Sequence, residues 1–420
     1  MIKKFFFILF ILLSFITQTI AEPGKDVILS RLTFSDIFGA LGLVFGLKVL
    51  YTGFINANQV SKIYQASLFM VFCFFAPILF SYNIQSTIVE CLILLFLVFM
   101  SVGIYKTFKE DFLSSLLPLI IYTMITASVL GYYDLLASVV GLPRIFPKRT
   151  DGEALSGFRN AGQAGAYFLV NLTILIPLRF SKLFYLLRNR DRKLLNIALL
   201  LSIIFIALTG KIAAYIGLLI GVFMYIVYKR NAKQLVVLII ATIGLVVLWN
   251  NLESYMPDTY NRINSKYNSR ILGTIENRAS GGFIENNYGE AIQSFTDRPL
   301  IGSGMGGFIG RYGKHEVHST YLKMLGETGI LGTLGYAIFL LSFLRLFRFK
   351  KHRKQNPYAD YLWAMYPFIL GCLISWSYTY HLRKREFWIL LTVILISNYA
   401  ARQYSLNEQK CIVDELPKNI

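Results

Sequence analysis

Long apolar runs alternate with short polar segments along nearly the whole 420-residue chain. Runs of this length are the signature of membrane-spanning helices, which need about 20 mainly apolar residues each. The pattern predicts spans near 5–21, 34–54, 63–82, 85–105, 112–133, 160–179, 194–209, 211–228, 233–250, 319–344, 358–380 and 386–400. The expected fold class is therefore all-α, a polytopic membrane protein of about twelve transmembrane helices. The first run, preceded by Lys3 and Lys4, also reads as a signal-like segment over 1–21.

The polar segments set the orientation. Segment 179–193 holds six basic residues and one acid, and segment 345–357 holds six basic residues and none. Lys229, Arg230 and Lys233 fall on the same side as these and as Lys3 and Lys4. By the positive-inside bias, that side is cytoplasmic. Segment 251–318 falls on the opposite side and is balanced, with seven Lys/Arg against seven Asp/Glu, as a translocated loop can be. The expected organisation is helices one to nine over 1–250, a large extracytoplasmic loop over 251–318, helices ten to twelve over 319–400 and a cytoplasmic tail over 401–420. One segment resists this scheme: His381–Arg385 (HLRKR) is strongly basic, yet the helix count puts it outside.

Composition agrees. Hydrophobic residues make up 55% of the chain and mean hydropathy is +0.54, whereas soluble domains hold about 45–50% apolar residues. The formal charge of +19 does not indicate nucleic acid, because the basic residues lie in short inter-helix loops. Cys73, Cys91 and Cys372 sit in apolar runs and Cys411 in the tail, so no disulfide framework is expected.

Two adjacent runs stand out. Residues 194–228 must cross twice, with roughly 16 residues per pass, or about 25 Å, against a hydrocarbon core of about 30 Å. The turn Thr209-Gly210-Lys211 is then recessed. A lysine there either reaches the interface or waits for an anion. Other polar groups at the same side are Arg159, Asn160 and Gln163 at the start of the 160–179 helix, and Arg278, Arg311, His315 and His318 from the large loop. A cationic set of this kind suits a phosphate or diphosphate at headgroup depth, where fixed charges stabilise a leaving group that gains charge.

His318 is the better base of the two loop histidines, since it begins a helix that fixes its direction and favours its neutral form. A capping or interfacial histidine is the plainer reading. His315 and His318 spell HxxH, but no carboxylate pair accompanies them and the chain has no DxD, so no metal is expected. The Gly302-Ser303-Gly304 run follows no strand and is read as a tight turn that lets backbone approach a substrate or a helix, not as a nucleotide loop. Lys323 and Glu327 are spaced to pair, and Gly326, Gly329 and Gly332 permit close helix contact.

Four segments carry a family likeness: TFSDIFGALGL (33–43), SGFRNAGQAGAY (156–167), DRPLIGSGMGGF (297–308) and HSTYLKMLGETGILG (318–332). In this order they resemble the O-antigen ligase/polymerase superfamily of bacterial envelope glycosyltransferases. The resemblance implies a GT-C-like membrane fold and a metal-independent, inverting transfer that uses no cofactor. It implies a donor glycan on undecaprenyl diphosphate at the outer face of the inner membrane. The acceptor is a growing glycan or lipid A-core, and a chain-length regulator is a candidate partner. His318 matches the family histidine, and Lys211 falls where an arginine is usual in the short hairpin. Arg278 is the best match for the loop arginine, with Arg270 as its rival. Polymerisation of repeat units is the expected reaction, ligation to lipid A-core the alternative. A flippase is a third reading, which predicts deep charges and paired broken helices.

Overall fold

The computed structural model describes residues 2–20, 32–46, 59–143, 145–146, 157–209, 211–229, scattered positions between 244 and 265, 288–313, 316–347 and 355–415. Its elements are α1 (Ile2–Leu12), α2 (Phe34–Val44), α3 (Gln59–Phe75), α4 (Ile84–Phe108), α5 (Leu117–Val140), α6 (Ala161–Phe180), α7 (Asn189–Leu208), α8 (Ile212–Lys229), α9 (Glu290–Asp297), α10 (Thr320–Leu344), α11 (Pro357–Ser375) and α12 (Arg385–Glu415). The protein is all-helical, with no strand among the described residues. Five segments are long and apolar enough to cross a membrane: Lys62–Phe80, Ile84–Phe108, Phe112–Ala137, Ala161–Phe180 and Thr320–Phe347. The run at 233–250 lies almost wholly outside the described residues; each of the other expected spans overlaps a helix.

Polar residues at the run boundaries start the helices. Asn83 accepts from Ser86 N–H at the head of α4, Asn160 from Gln163 N–H at the head of α6, and Ser319 from Leu322 N–H at the head of α10. Asn356 caps α11 through Tyr358 and Ala359, with Pro357 fixing its first turn. Each cap satisfies a backbone donor that lipid cannot.

α6 and α12 form the middle of the bundle. From Ala164 to Leu178 every residue of α6 is buried, as is α12 from Glu386 to Asn398. Aromatic rings lock neighbouring helices, with Phe168 of α6 against Phe205 of α7 at 4.7 Å and Trp376 against Phe387 at 4.9 Å. Because lipid tails are as apolar as leucine, such packing and close backbone contact hold the helices together. A very close contact joins α8 and α11, where a Cβ on Gly371 would overlap the Gly217 carbonyl. Cys73, Cys91 and Cys372 are free and buried.

The basic segments gather at one end. Lys4 pairs with Asp111 at 2.7 Å, Lys109 lies over Tyr399, the Lys182 N–H donates to Asp360, and Asn356 donates to the Ala401 carbonyl. This is the end expected to be cytoplasmic. The opposite end holds residues 298–313 and 316–320, the start of α6, the facing ends of α7 and α8, and residues 376–385.

At that opposite end α10 departs from the continuous helix expected. Gly329 has φ 59° and ψ −159°, which breaks the helix nine residues in, about 14 Å along the axis. The Pro299–Gly302 stretch fills the break. Ile330 N–H donates to the Pro299 carbonyl and Leu331 N–H to that of Leu300, while Ser303 and Gly304 N–H donate back to the carbonyls of Gly326 and Glu327. A broken helix at membrane depth needs such substitute partners. The glycine-rich run is thus a backbone clasp on α10, and Gly302 and Gly304 are both buried in it, each with positive φ.

Candidate functional site

The two arginines of the HLRKR segment that resisted the topology are paired with acids from remote segments. Arg383 lies 2.5 Å from the buried Glu90 of α4 and 3.2 Å from Glu316. Arg385 grips Asp36 at both oxygens, Nε donating to Oδ1 at 2.6 Å. Asp36 also accepts from the Thr33 N–H as part of a capping box, so the acid of the first family-like segment orients α2 and anchors α12 together. Charges held in internal pairs do not report topology as free loop lysines do.

The pairing extends into α10. Lys323, fully buried, stands 3.6 Å from Glu327 and 3.8 Å from Glu316, with Tyr380 facing its ammonium at 4.3 Å. The second oxygen of Glu327 accepts from Gly306 N–H at 2.7 Å. The expected Lys323–Glu327 pair is therefore present, and its carboxylate also pins the glycine-rich clasp. Lys323 Nζ and Glu327 Oε1 are paired by charge at these distances without a hydrogen bond between them.

Lys211 is half-buried at the start of α8, against the N-terminal turn of α6. A Cβ on Gly162 would lie 3.6 Å from its Nζ, and one on Gly165 would lie 2.8 Å from its Cβ. Both glycines leave room for the lysine to reach the α6 N-terminus. Asn160 and Gln163 stand there too. The Asn160 side chain caps α6, and Gln163 Oε1 is buried with no hydrogen-bond partner among the described residues. Arg159 is half-buried next to them, its N–H bonded to Thr17.

Residues 376–384 join these groups to the His318 side. His318 is exposed, one residue before the Ser319 cap. Thr320 N–H donates to the Trp376 carbonyl, and its hydroxyl donates to the Thr379 carbonyl and accepts from His381 N–H. His381 is buried and stacked on Trp376, with its Nδ1 unpartnered among the described residues. Burial, then the charges of Lys384 and Lys211, hold its pKa well below the ordinary histidine value. The Lys384 amine is pushed down to about 8, mainly by burial, with Lys211 and Arg383 adding repulsion against the pull of Glu386.

The structure thus brings Lys211, Asn160, Gln163 and Arg159 to one helix start, and ties the His318 segment to a turn beside Lys211. Arg311 lies on the exposed surface, its guanidinium 5.0 Å from the Tyr82 ring centre. Arg278, Arg270 and His315 lie outside the described residues. Sequence reasoning passed over Glu90, Glu316, His381, Arg383, Lys384 and Arg385. The usable signal was the anomaly itself, a basic cluster on the side where none was expected.

Residues 197–337 match the family model described as O-antigen ligase. The matched stretch runs from α7 through the large loop into α10 and includes Lys211, Arg278 and His318. It supports the O-antigen ligase/polymerase superfamily and points to ligase- or polymerase-like activity. No curated protein matches the chain.

Proposed function

We propose that this protein is a glycosyltransferase of GT-C-like type that transfers a glycan from undecaprenyl diphosphate to a sugar hydroxyl at the periplasmic face of the inner membrane. The favoured reaction is polymerisation of O-antigen or exopolysaccharide repeat units. The observation that supports this reading is the link between the two halves of the site: His381, whose ring feels the charge of Lys211, lies in a turn hydrogen-bonded to Thr320, two residues from His318. A base and a cation cluster joined by one rigid turn suit a displacement at a sugar carbon.

In that reaction His318 accepts the proton of the acceptor hydroxyl. The hydroxyl oxygen bonds to the anomeric carbon from the face opposite the diphosphate. The bond from that carbon to the diphosphate oxygen breaks, and undecaprenyl diphosphate leaves with the electron pair. Lys211, with Arg278 and Arg159, stabilises the charge that grows on the leaving group. His318 then returns its proton to water. The base and the cations act at opposite sides of the reacting carbon, so the configuration inverts.

Ligation of a finished glycan to lipid A-core is the second reading, favoured by the family description. It shares every donor step and differs in the acceptor. A deletion strain separates the two. Single repeat units capping the core indicate a lost polymerase, and bare core with long carrier-linked chains indicates a lost ligase. Unchanged surface glycans would overturn both. Complementation with His318→Ala tests the base: the expected result is transfer lowered by about 10²–10⁴-fold at normal membrane levels.

A further inference from the structure

Lys62–Phe80 and Ile84–Phe108 are each long and apolar enough to cross a membrane. The residues between them, Ser81, Tyr82 and Asn83, therefore turn at a bilayer surface, at the end of α4 opposite the Lys4–Asp111 pair. Tyrosine is common at that depth, where its ring meets both headgroups and acyl chains. The side chains flanking the turn are apolar and open: Leu79 is 80% exposed, Phe80 62% and Ile84 48%. Leu300 of the clasp is 69% exposed. In a spanning protein such residues meet lipid tails.

Two arginines share the Tyr82 ring. The Arg298 guanidinium lies 3.9 Å from its centre and that of Arg311 5.0 Å, so the two cations stand within about 9 Å of each other. Arg298 Nη1 donates to the Phe80 carbonyl, which leaves its other donors for a further acceptor. Arg311 is exposed, and its partner is the same tyrosine. Neither arginine makes a salt bridge among the described residues. Two acids belong to the same stretch. Asp297 accepts from the Tyr312 hydroxyl at 2.8 Å, and Glu290 is turned to Gly313, where a Cβ would meet its Oε2 at 2.6 Å.

We propose that Arg298, Arg311 and Tyr82 form a binding site for the phosphate of an anionic glycerophospholipid, its acyl chains lying along Leu79, Phe80 and Leu300. The site does not depend on the transfer reaction proposed above, and it gives Arg311 a partner other than the donor diphosphate. A guanidinium suits a phosphate diester because its planar fork donates twice, while its face stays on the ring. A lipid is favoured over a soluble anion because the exposed neighbours Leu79, Phe80 and Leu300 are apolar. Arg298 also opens the clasp. Its carbonyl accepts from Gly302 N–H at 2.8 Å, and the next two carbonyls accept from Ile330 and Leu331. A headgroup held by Arg298 thereby couples the bilayer surface to the break in α10.

The test uses the purified full-length chain in phosphatidylcholine nanodiscs. The probe is phosphatidylglycerol with a photoreactive group on its headgroup, and phosphatidylcholine with the same group is the reference. Cross-links are mapped by peptide mass spectrometry. Phosphatidylglycerol adducts are expected on residues 78–84 and 297–313, in excess over the reference. Arg298→Gln and Arg311→Gln should each reduce that excess about fivefold. Adducts around Arg190, which lies over Tyr122 at the other end, should not change in either variant. Arg311→Gln alters an exposed side chain, so it keeps the test open if Arg298→Gln lowers the level of folded protein. Inorganic phosphate, which lacks the chains, should not displace the probe. Equal labelling by the two lipids overturns the site, as does an excess that survives both substitutions. Displacement by inorganic phosphate overturns the lipid as occupant. Displacement by undecaprenyl diphosphate at equal concentration overturns the proposal too, because the patch then belongs to the carrier lipid.

Discussion

Arg383 donates through both terminal nitrogens to the Glu316 carboxylate, Nη1 to Oε1 at 3.2 Å and Nη2 to Oε2 at 3.4 Å. Glu316 lies two residues before His318, and Arg383 directly precedes Lys384. One guanidinium therefore ties the segment of the proposed base to the basic turn before α12, and it is itself fixed by Glu90 from α4.

Removing that guanidinium should cost both stability and transfer. Arg383→Ala leaves the buried Glu90 without its cation, a change expected to destabilise the fold by about 3 kcal/mol. Arg383→Lys keeps the charge and loses the two-point geometry, so its stability should be intermediate while transfer falls nearly as far as in the alanine variant. Thermal unfolding in detergent alongside glycan transfer measures both, and a lysine variant of full activity would show that charge alone is needed.

The second expectation concerns the space that Gly165 leaves. A methyl group there meets Lys211 Cβ at 2.8 Å, its Cγ at 3.1 Å and Ala214 Cβ at 3.3 Å. Gly165→Ala should push Lys211 off the α6 N-terminus at a packing cost of about 1–3 kcal/mol. Transfer should drop about tenfold. Lys211→Arg should keep most of the activity and Lys211→Ala should lose it. An active Gly165→Ala protein beside an inactive Lys211→Ala protein would mean that the position of the lysine is not critical.

His381 gives the protein a pH response. Its folded pKa is depressed, by burial and then by Lys384 and Lys211, below the ordinary value of 6.5. The unfolded chain thus takes up this proton first as pH falls. The stability associated with the neutral ring is fully present above pH 6.5 and declines as pH falls below it, by at most about 1.4 kcal/mol per pH unit for this one group. His381→Gln removes the group, so its unfolding curve should be flatter than that of the wild type between pH 6.5 and 5. Parallel curves would remove His381 as the cause.

Two glycines with positive φ separate backbone strain from collision. Gly310 has φ 84°, and a methyl group on it would meet nothing within 4 Å, whereas at Gly329, φ 59°, a Cβ meets the Leu300 carbonyl carbon at 2.5 Å and Ile301 N at 2.6 Å. Gly310→Ala should cost about 1–2 kcal/mol. Gly329→Ala should cost more than about 3 kcal/mol, because strain and overlap combine at the clasp. Membrane levels of folded protein give the comparison, and equal losses would show that the clasp is not a special point.

Several features were legible along the chain. The apolar runs gave the all-helical class, and the positions of the described helices follow them because a bilayer sets span length and requires backbone donors to be met within the helix. The polar residues that interrupt the runs became caps, as at Asn160 and Ser319. The likeness in four segments led to the superfamily that the match over 197–337 supports. The Lys323–Glu327 spacing announced a pair, since four residues is one turn.

Other features depended on distant contacts. Asp36 and Arg385, or Glu90 and Arg383, are hundreds of positions apart, and no local period relates them; only folding shows that the arginines of the awkward HLRKR segment are paired. The break at Gly329 was equally hidden, because an apolar run with glycines reads as a helix until another segment supplies backbone partners at Pro299 and Leu300. Sequence alone determined where helices form and which residue types face water, for those depend on neighbours in the chain and on the solvent. Tertiary structure decided which charges pair and which helix is broken, because these depend on distances that close only when remote segments pack together.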